Sequence, residues 1–175
     1  TGTSEDQNFG SIIGAVPDVD ADGDDELLVM DPSVGDMYFF LGGQDLEVGE
    51  FSPSDADAII DGVGATPTSI VNIGDWTADG RDDVGIAYGG SSTGASGGTV
   101  VILEAASWTG TVRLSDIATG TLKGSDYNQN FGLGIAKTPY DLDGDGLMDL
   151  VVGDPGYDED EDGAEGGLFI FYSDF

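Results

Sequence analysis

The residues of this chain with the clearest capacity for chemistry lie at 18–26, which read DVDADGDDE. Acidic side chains occupy the first, third and fifth positions, Gly23 is sixth and Glu26 is ninth. In a loop wrapped around one Ca²⁺, alternate side chains turn inward, a glycine permits the sharp bend and a later carboxylate closes the coordination shell. The spacing therefore predicts a Ca²⁺ site in this loop.

The same spacing occurs twice more. Residues 75–83 read DWTADGRDD and residues 141–149 read DLDGDGLMD, and each loop leads into an apolar run. We predict one Ca²⁺ in each of the three loops, with the seventh residue of each contributing its carbonyl oxygen. The predicted ligands are Asp18, Asp20, Asp22, Asp24 and Glu26 in the first loop, Asp75, Thr77, Asp79, Arg81 and Asp83 in the second, and Asp141, Asp143, Asp145, Leu147 and Asp149 in the third.

Ligand charge ranks the three loops. The third loop has carboxylates at all four side-chain positions, so it is predicted to be the most important site. In the second loop Thr77 offers a neutral oxygen and Arg81 adds a positive charge, so this site is predicted to be the weakest. The first loop is placed between them because the longer side chain of Glu26 requires a backbone adjustment.

A fourth acidic segment, residues 158–165, repeats the first half of the spacing. Asp158, Asp160 and Asp162 have the loop positions, while Glu165 comes one place early. A fourth Ca²⁺ site is one interpretation. The alternative, a solvated acidic hairpin loop, is favoured, because runs of like charge usually face water.

Composition excludes several classes of function. The chain has 35 Asp and Glu against 4 Lys and Arg, a formal charge of −31. Nucleic-acid binding needs clustered basic residues, and so does an anionic membrane surface. Histidine and cysteine are absent from the sequence, which removes the usual general base and the usual zinc ligands. No apolar run reaches the roughly 20 residues of a membrane span.

Short apolar runs at 26–30, 37–41, 84–88, 99–103, 150–153 and 168–172 predict buried β-strands, with shorter ones at 11–16, 58–60, 69–73 and 133–136. Residues 111–114, together with residues 120–122, are predicted to supply a fourth strand to the second unit. The loops begin 57 and 66 residues apart, as Asp18, Asp75 and Asp141 show. A period near 60 with three or four strands per unit points to a propeller or another β-repeat array, without helices.

The repeated unit resembles the FG-GAP repeats of the integrin α-subunit head and its bacterial relatives. The first unit has Phe9-Gly10, the loop at 18–26 and Asp31-Pro32; the third has Phe131-Gly132, the loop at 141–149 and Asp154-Pro155. The second unit keeps the loop but has Ala65-Thr66-Pro67 and Tyr88-Gly89-Gly90 where the family's motifs belong.

This resemblance implies an all-β fold of FG-GAP, integrin-α-like β-propeller blades. We expect one domain of about three four-stranded antiparallel blades, at 1–62, 63–123 and 124–175, with the calcium loops between the first two strands of each. Three units cannot close a ring, since closed propellers have at least about four blades. The last unit is expected to lack its fourth strand.

Three functions follow from these features. The leading one is a non-catalytic, calcium-binding adhesion or interaction module, placed outside the cell or at its surface, where millimolar Ca²⁺ fills sites of modest affinity. Its partner would be a protein or carbohydrate ligand of the cell surface or matrix, or further copies of the chain; nucleic acid and direct membrane insertion are not expected. The alternative is a structural repeat of a filament or surface layer, assembled by edge-to-edge packing. Less favoured is a carbohydrate-active enzyme using paired carboxylates, with Lys123, Lys137, Tyr127 or Tyr140 as a base.

Overall fold

The fold is described from a computed structural model, which covers residues 8–43, 49–90, 97–124, 130–136, 141–160 and 162–173. These ranges contain twelve strands, a 3₁₀ turn at Pro53–Asp55 and one helical turn, α1, at Leu114–Ile117. None of the described helical segments has the length and apolar character needed to cross a membrane. The all-β prediction is confirmed, apart from these two short turns.

The strands form three separate sheets. The strand bounds are β1 Ile12–Val16, β2 Glu26–Asp31, β3 Asp36–Phe40, β4 Ala58–Asp61, β5 Ser69–Gly74, β6 Asp83–Tyr88, β7 Thr99–Leu103, β8 Gly110–Arg113, β9 Ala118–Lys123, β10 Gly134–Ile135, β11 Leu150–Asp154 and β12 Gly167–Phe171. Sheet 1 has the order β1-β2-β3-β4-β8, sheet 2 the order β5-β6-β7-β9, and sheet 3 the order β10-β11-β12. Within the described ranges, sheet 3 therefore has three strands.

The segment at 111–114 was predicted to extend the second unit, and this prediction is wrong. It forms β8, which pairs in parallel with β4 at the edge of sheet 1, from Ala58 opposite Gly110 to Asp61 opposite Arg113. The chain then turns through α1 and returns to sheet 2 as β9. Buried Trp108 and Leu114 hold this excursion against the core between sheets 1 and 2. Alternating polar residues do not reveal which sheet a strand joins, because either edge offers the same backbone partners.

The sheets pack face to face in chain order, and one apolar core lies between each two neighbouring sheets. Between sheets 1 and 2, Met30 and Phe39 meet Ile86 and Leu103. Between sheets 2 and 3, side chains of both sheets surround buried Phe131. The first strands approach most closely: a Cβ placed on Gly14 would lie 2.4 Å from the Ile70 side chain, so this position accepts only glycine.

Candidate metal centre

Each calcium-type loop connects the first two strands of a sheet, as predicted. The loops lie between β1 and β2, between β5 and β6, and between β10 and β11. Because the first three strands of every sheet have the same order, the loops share one end of the array. The base of the second loop is in contact with the third: a Cβ on Gly74 would lie 2.6 Å from the Met148 side chain.

The first aspartate organises every loop through backbone hydrogen bonds. In the first loop, Asp18 accepts from the amides of Asp22 and Gly23, at 3.1 and 3.0 Å. Asp75 accepts in the same way from the fifth and sixth residues of the second loop, at 3.0 and 2.9 Å. Asp141 accepts from the corresponding amides of the third, at 3.1 and 2.9 Å. These local bonds fold the loop around its first carboxylate.

The fourth and sixth residues of every loop adopt left-handed backbone conformations. The sixth is always glycine, which takes this conformation without steric cost. The fourth is Ala21 with φ 64° and Ala78 with φ 59° in the first two loops, and Gly144 with φ 85° in the third. Alanine pays roughly 1–2 kcal/mol for this conformation. The third loop is thus the one loop of the three that closes without this strain.

The ninth residue of every loop is a buried carboxylate at the start of the second strand. Glu26, Asp83 and Asp149 are 0, 0 and 1% exposed. Each accepts a hydrogen bond from the amide of the second loop residue, namely Val19, Trp76 and Leu142. A buried carboxylate needs compensation by hydrogen bonds or by a cation, because burial strips its water.

In the first loop four carboxylates converge. Asp18, Asp20, Asp22 and Glu26 each offer one oxygen, and these oxygens all lie within 4.8 Å of one another. Glu26 Oε1 is buried and accepts no hydrogen bond within the described part of the chain. Burial, followed by the negative charges of Asp20 and Asp18, raises the Glu26 pKa to about 7, although the Val19 amide opposes the shift. This arrangement fits a divalent cation, which would neutralise the cluster.

The third loop forms a smaller group of the same kind. Asp141, Asp143 and Asp149 bring three oxygens within 4.8 Å of one another. Asp145 does not join that group; its Oδ1 accepts from the Leu147 amide at 2.8 Å. The corresponding bond in the first loop runs from the Asp24 amide to Asp22 at 2.9 Å.

The second loop is arranged differently, although all of residues 75–83 are described. Its carboxylates do not form a group of three. The Arg81 guanidinium donates to Asp79 Oδ2 from Nη2 at 2.8 Å and from Nε at 3.2 Å. These hydrogen bonds hold the Asp79 pKa below its usual range. Asp83 accepts from the Thr77 amide at 2.8 Å, and burial raises its pKa to about 6.

The acidic hairpin between β11 and β12 gathers Asp158, Asp160, Asp162 and Glu165, whose ligand oxygens lie within 4.8 Å of one another. The Gly163 amide donates to Asp158 at 3.2 Å, which repeats the sixth-to-first bond of the calcium-type loops. All but Asp158 of the four are exposed. The hairpin thus repeats one of the loop's local hydrogen bonds and has no buried closing carboxylate among its described residues.

Two aspartates that the sequence showed only as part of the Asp-Pro pairs are buried, at the ends of β2 and β11 that lie away from the loops. Asp31 and Asp154 are 0 and 1% exposed. Asp31 accepts from the Ser33 amide at 2.9 Å, and Asp154 accepts from the Gly156 amide at 3.0 Å. The Asp-Pro pair is typical of turns closed by the aspartate side chain, but it does not indicate that the aspartate is buried. Their role is to fix the turn after the strand.

Of the four residues that could act as a base in an enzyme, one lies within the described residues. Lys137, Tyr127 and Tyr140 lie outside the described residues. Lys123 is exposed at the end of β9, away from the loop end of sheet 2. Because β9 is antiparallel to β7, Lys123 lies opposite Thr99, whereas the loop-proximal residue Leu103 lies opposite Ala118.

No protein-family model matches the chain. Among curated proteins, integrin alpha-5 of Xenopus laevis is 30% identical to it over 167 residues. The alignment covers 86% of this chain but 15% of the relative, so the chain spans a small part of that protein's length. At this distance, the chain is similar to a segment of an integrin alpha subunit.

Proposed function

We propose that this chain is a calcium-binding, non-catalytic module of the integrin-α type, in which propeller blades carry adhesion or protein-interaction surfaces. The observation that carries this proposal is the convergence of Asp18, Asp20, Asp22 and Glu26 on one point. Four carboxylates around one point repel one another strongly unless a cation lies between them. Outside the cell, calcium at millimolar concentration is available to fill that position.

Calcium suits the loops better than magnesium does. Ca²⁺ accepts six to eight oxygen ligands at about 2.3–2.6 Å in a flexible geometry, whereas Mg²⁺ demands a near-ideal octahedron and keeps several waters. The first loop offers an unusually rich carboxylate set and a backbone held by Asp18 through hydrogen bonds to two amides. A bound ion would hold the loop rigid and neutralise part of the negative charge of a chain whose formal charge is −31.

The three loops are proposed to bind calcium unequally. The first and third loops have groups of converging carboxylates. In the second, a cation must compete with the guanidinium of Arg81 for the Asp79 carboxylate. This competition supports the proposal that the second site is the weakest. The carbonyl oxygens of Asp24, Arg81 and Leu147 are proposed to complete the three shells.

An interaction role is favoured over catalysis. The buried carboxylates at the loop end are committed to backbone amides and to the proposed ions, and His and Cys are absent from the sequence. The similarity to integrin alpha-5 supports an extracellular or cell-surface location and a protein or carbohydrate partner of the surface or matrix. Loops on a rigid scaffold commonly carry such binding surfaces.

Isothermal titration calorimetry on chelator-treated protein tests the metal proposal. We expect a stoichiometry close to three, with one site weaker than the others. Asp20→Asn should weaken binding to the first loop, whereas Asp25→Asn removes the same charge from an exposed neighbour and serves as the matched control. A stoichiometry of zero or one, or equal effects of the two variants, would contradict the proposal.

A further inference from the structure

A row of charged side chains crosses sheet 1 at the end that lies away from the calcium-type loops. Asp31, the last residue of β2, is paired with Asp36, the first residue of β3. Extending the β3–β4 register by one residue brings Asp36 opposite Asp61, the last residue of β4. Asp61 is in turn paired with Arg113 of β8. Residues that lie opposite each other on neighbouring strands share one face of the sheet, so the three carboxylates form one line, here called the aspartate row.

The aspartate row differs from the corresponding rows of the other two sheets. In sheet 2 that row consists of Tyr88, Thr99 and Lys123. In sheet 3 Asp154 lies opposite Gly167. Like charges directly opposite each other destabilise a sheet, and sheet 1 has two such pairs in succession. The aspartate row therefore requires compensation by positive charge that the other two rows do not require.

Arg113 provides only part of this compensation. Its Nε lies 3.8 Å from Asp61 Oδ1, which is beyond hydrogen-bond distance, and its side chain is 71% exposed. An ion pair that water screens in this way contributes little. Asp61 Oδ1 is itself buried and accepts no hydrogen bond within the described ranges. Three carboxylates thus face one loosely held guanidinium.

Asp31 has a buried carboxylate oxygen without a donor. The residue is 0% exposed. Its Oδ1 accepts hydrogen bonds from the amide and the hydroxyl of Ser33, whereas its Oδ2 is buried and accepts none from the described part of the chain. Burial of a charged oxygen is costly unless a donor or a cation compensates it. Glu26 of the first calcium-type loop has the same combination of one bonded and one unbonded buried oxygen.

The charges of the aspartate row act on one another. Burial, then the charge of Asp61 and then that of Asp31, raises the pKa of Asp36. The pKa of Tyr38, on the same face of β3, is raised by burial and then by Asp36 and Asp31. The row does not bring three carboxylate oxygens within 4.8 Å of one another, as the first loop does. An ion in the row therefore contacts fewer carboxylates directly than an ion in that loop.

We propose that the aspartate row binds one hydrated divalent cation, with Asp31 and Asp36 as direct ligands and Asp61 held through water. Mg²⁺ fits this arrangement, because it keeps several waters and is usually bound through one or two carboxylates. Ca²⁺ fits it less well, since it takes six to eight oxygen ligands. The ion neutralises facing carboxylates and links β2 to β3. Because the row and the calcium-type loops lie at opposite ends of sheet 1, the proposal does not depend on calcium binding.

The test is NMR spectroscopy of the whole, ¹⁵N-labelled chain in saturating calcium, with Mn²⁺ as a paramagnetic substitute for Mg²⁺. We expect substoichiometric Mn²⁺ to broaden the amide signals of Ser33, Asp36 and Gly62, and excess Mg²⁺ to restore them. Asp36→Asn should weaken Mn²⁺ binding at this site at least about tenfold. Asp116→Asn removes the same charge from an exposed residue of α1 and is the matched control, which should broaden as the wild type does.

Asp61→Asn is a second variant and should weaken binding less than Asp36→Asn, because its carboxylate acts through water. Both variants relieve repulsion, so neither should melt below the wild type in metal-free buffer. Broadening confined to the calcium-type loops and the acidic hairpin overturns the proposal, and so does broadening of the row that persists unchanged in Asp36→Asn. A proton shared by Asp31 and Asp36 would compensate the pair without metal; Mn²⁺ would then leave these signals sharp, which also overturns it.

Discussion

Replacement of Glu26 by glutamine should have opposite effects in the presence and absence of calcium. Glu26 is fully buried, with one oxygen held by the Val19 amide at 3.1 Å. Without metal, burial and the neighbouring aspartates raise its pKa from 4.5 to about 7. At about 1.4 kcal/mol per pKa unit, the ionised side chain costs the metal-free fold about 3 kcal/mol at about pH 8.

The sign of the pH dependence follows from proton uptake. Between 4.5 and about 7 the folded state holds a proton on Glu26 that the unfolded state has lost. Metal-free stability therefore falls as pH rises through this window and is constant above it. Glu26→Gln removes this penalty, and its new amide can donate to the carboxylates of Asp18 or Asp20. The gain should be full at about pH 8 and absent at about pH 4.

Calcium should reverse the order of stability. An ionised Glu26 offers the ion a charged ligand, and calcium affinity depends on ligand charge. We expect Glu26→Gln to weaken binding at the first loop at least about tenfold, equivalent to about 1.4 kcal/mol. In saturating calcium the variant should therefore melt below the wild type.

The assay is thermal unfolding of both proteins in chelator and in calcium, at about pH 8 and about pH 4. For a chain of this length, 1 kcal/mol corresponds to roughly 2–4 °C in melting temperature. Asp25→Asn is the control for loss of one negative charge at an exposed neighbour. A variant less stable than the wild type in chelator at the higher pH would refute the reasoning, because the buried carboxylate would then carry no penalty.

Two further predictions concern acidic residues elsewhere. Asp145→Ala should lower the melting temperature in calcium more than Asp79→Ala does, because Arg81 already balances the Asp79 charge. The comparison comes from melting temperatures of both variants over a calcium titration, and the opposite order would show that burial of the loop, not its charge, sets the loss of stability. Asp36→Asn should raise the melting temperature at about pH 7 and leave it unchanged at about pH 3. The reason is that burial, with the charges of Asp61 and Asp31, raises the Asp36 pKa, so that the ionised carboxylate destabilises the fold. An unchanged melting temperature at the higher pH would exclude this penalty.

The sequence predicted the strands well because their signal is local. The apolar runs at 26–30, 84–88 and 150–153 form the second strands of the three sheets, and each follows a loop of recognisable spacing. The loop conformation is local too. The sixth-residue amide of each loop reaches the first aspartate over five residues. Such contacts need no distant partner, so their pattern is visible in the order of residues.

Residue types alone left the geometry of the second loop undecided. Counting ligands predicted a weaker site there, and the structure adds a reason: the Arg81 side chain turns back onto Asp79. The sequence placed a positive charge nearby but could not set its direction. The hydrogen-bond partner of a long, flexible side chain can be assigned only when the backbone positions of both residues are known.

The amino-acid order by itself determined the loop spacing, the alternation of the strands and the acidic surface, since each depends on neighbours a few residues apart. Only the tertiary structure decided that Glu26, Asp83 and Asp149 are buried and that β8 joins sheet 1. The reason is physical. Burial and edge pairing depend on which surfaces meet, and surfaces meet through contacts between residues far apart in the chain.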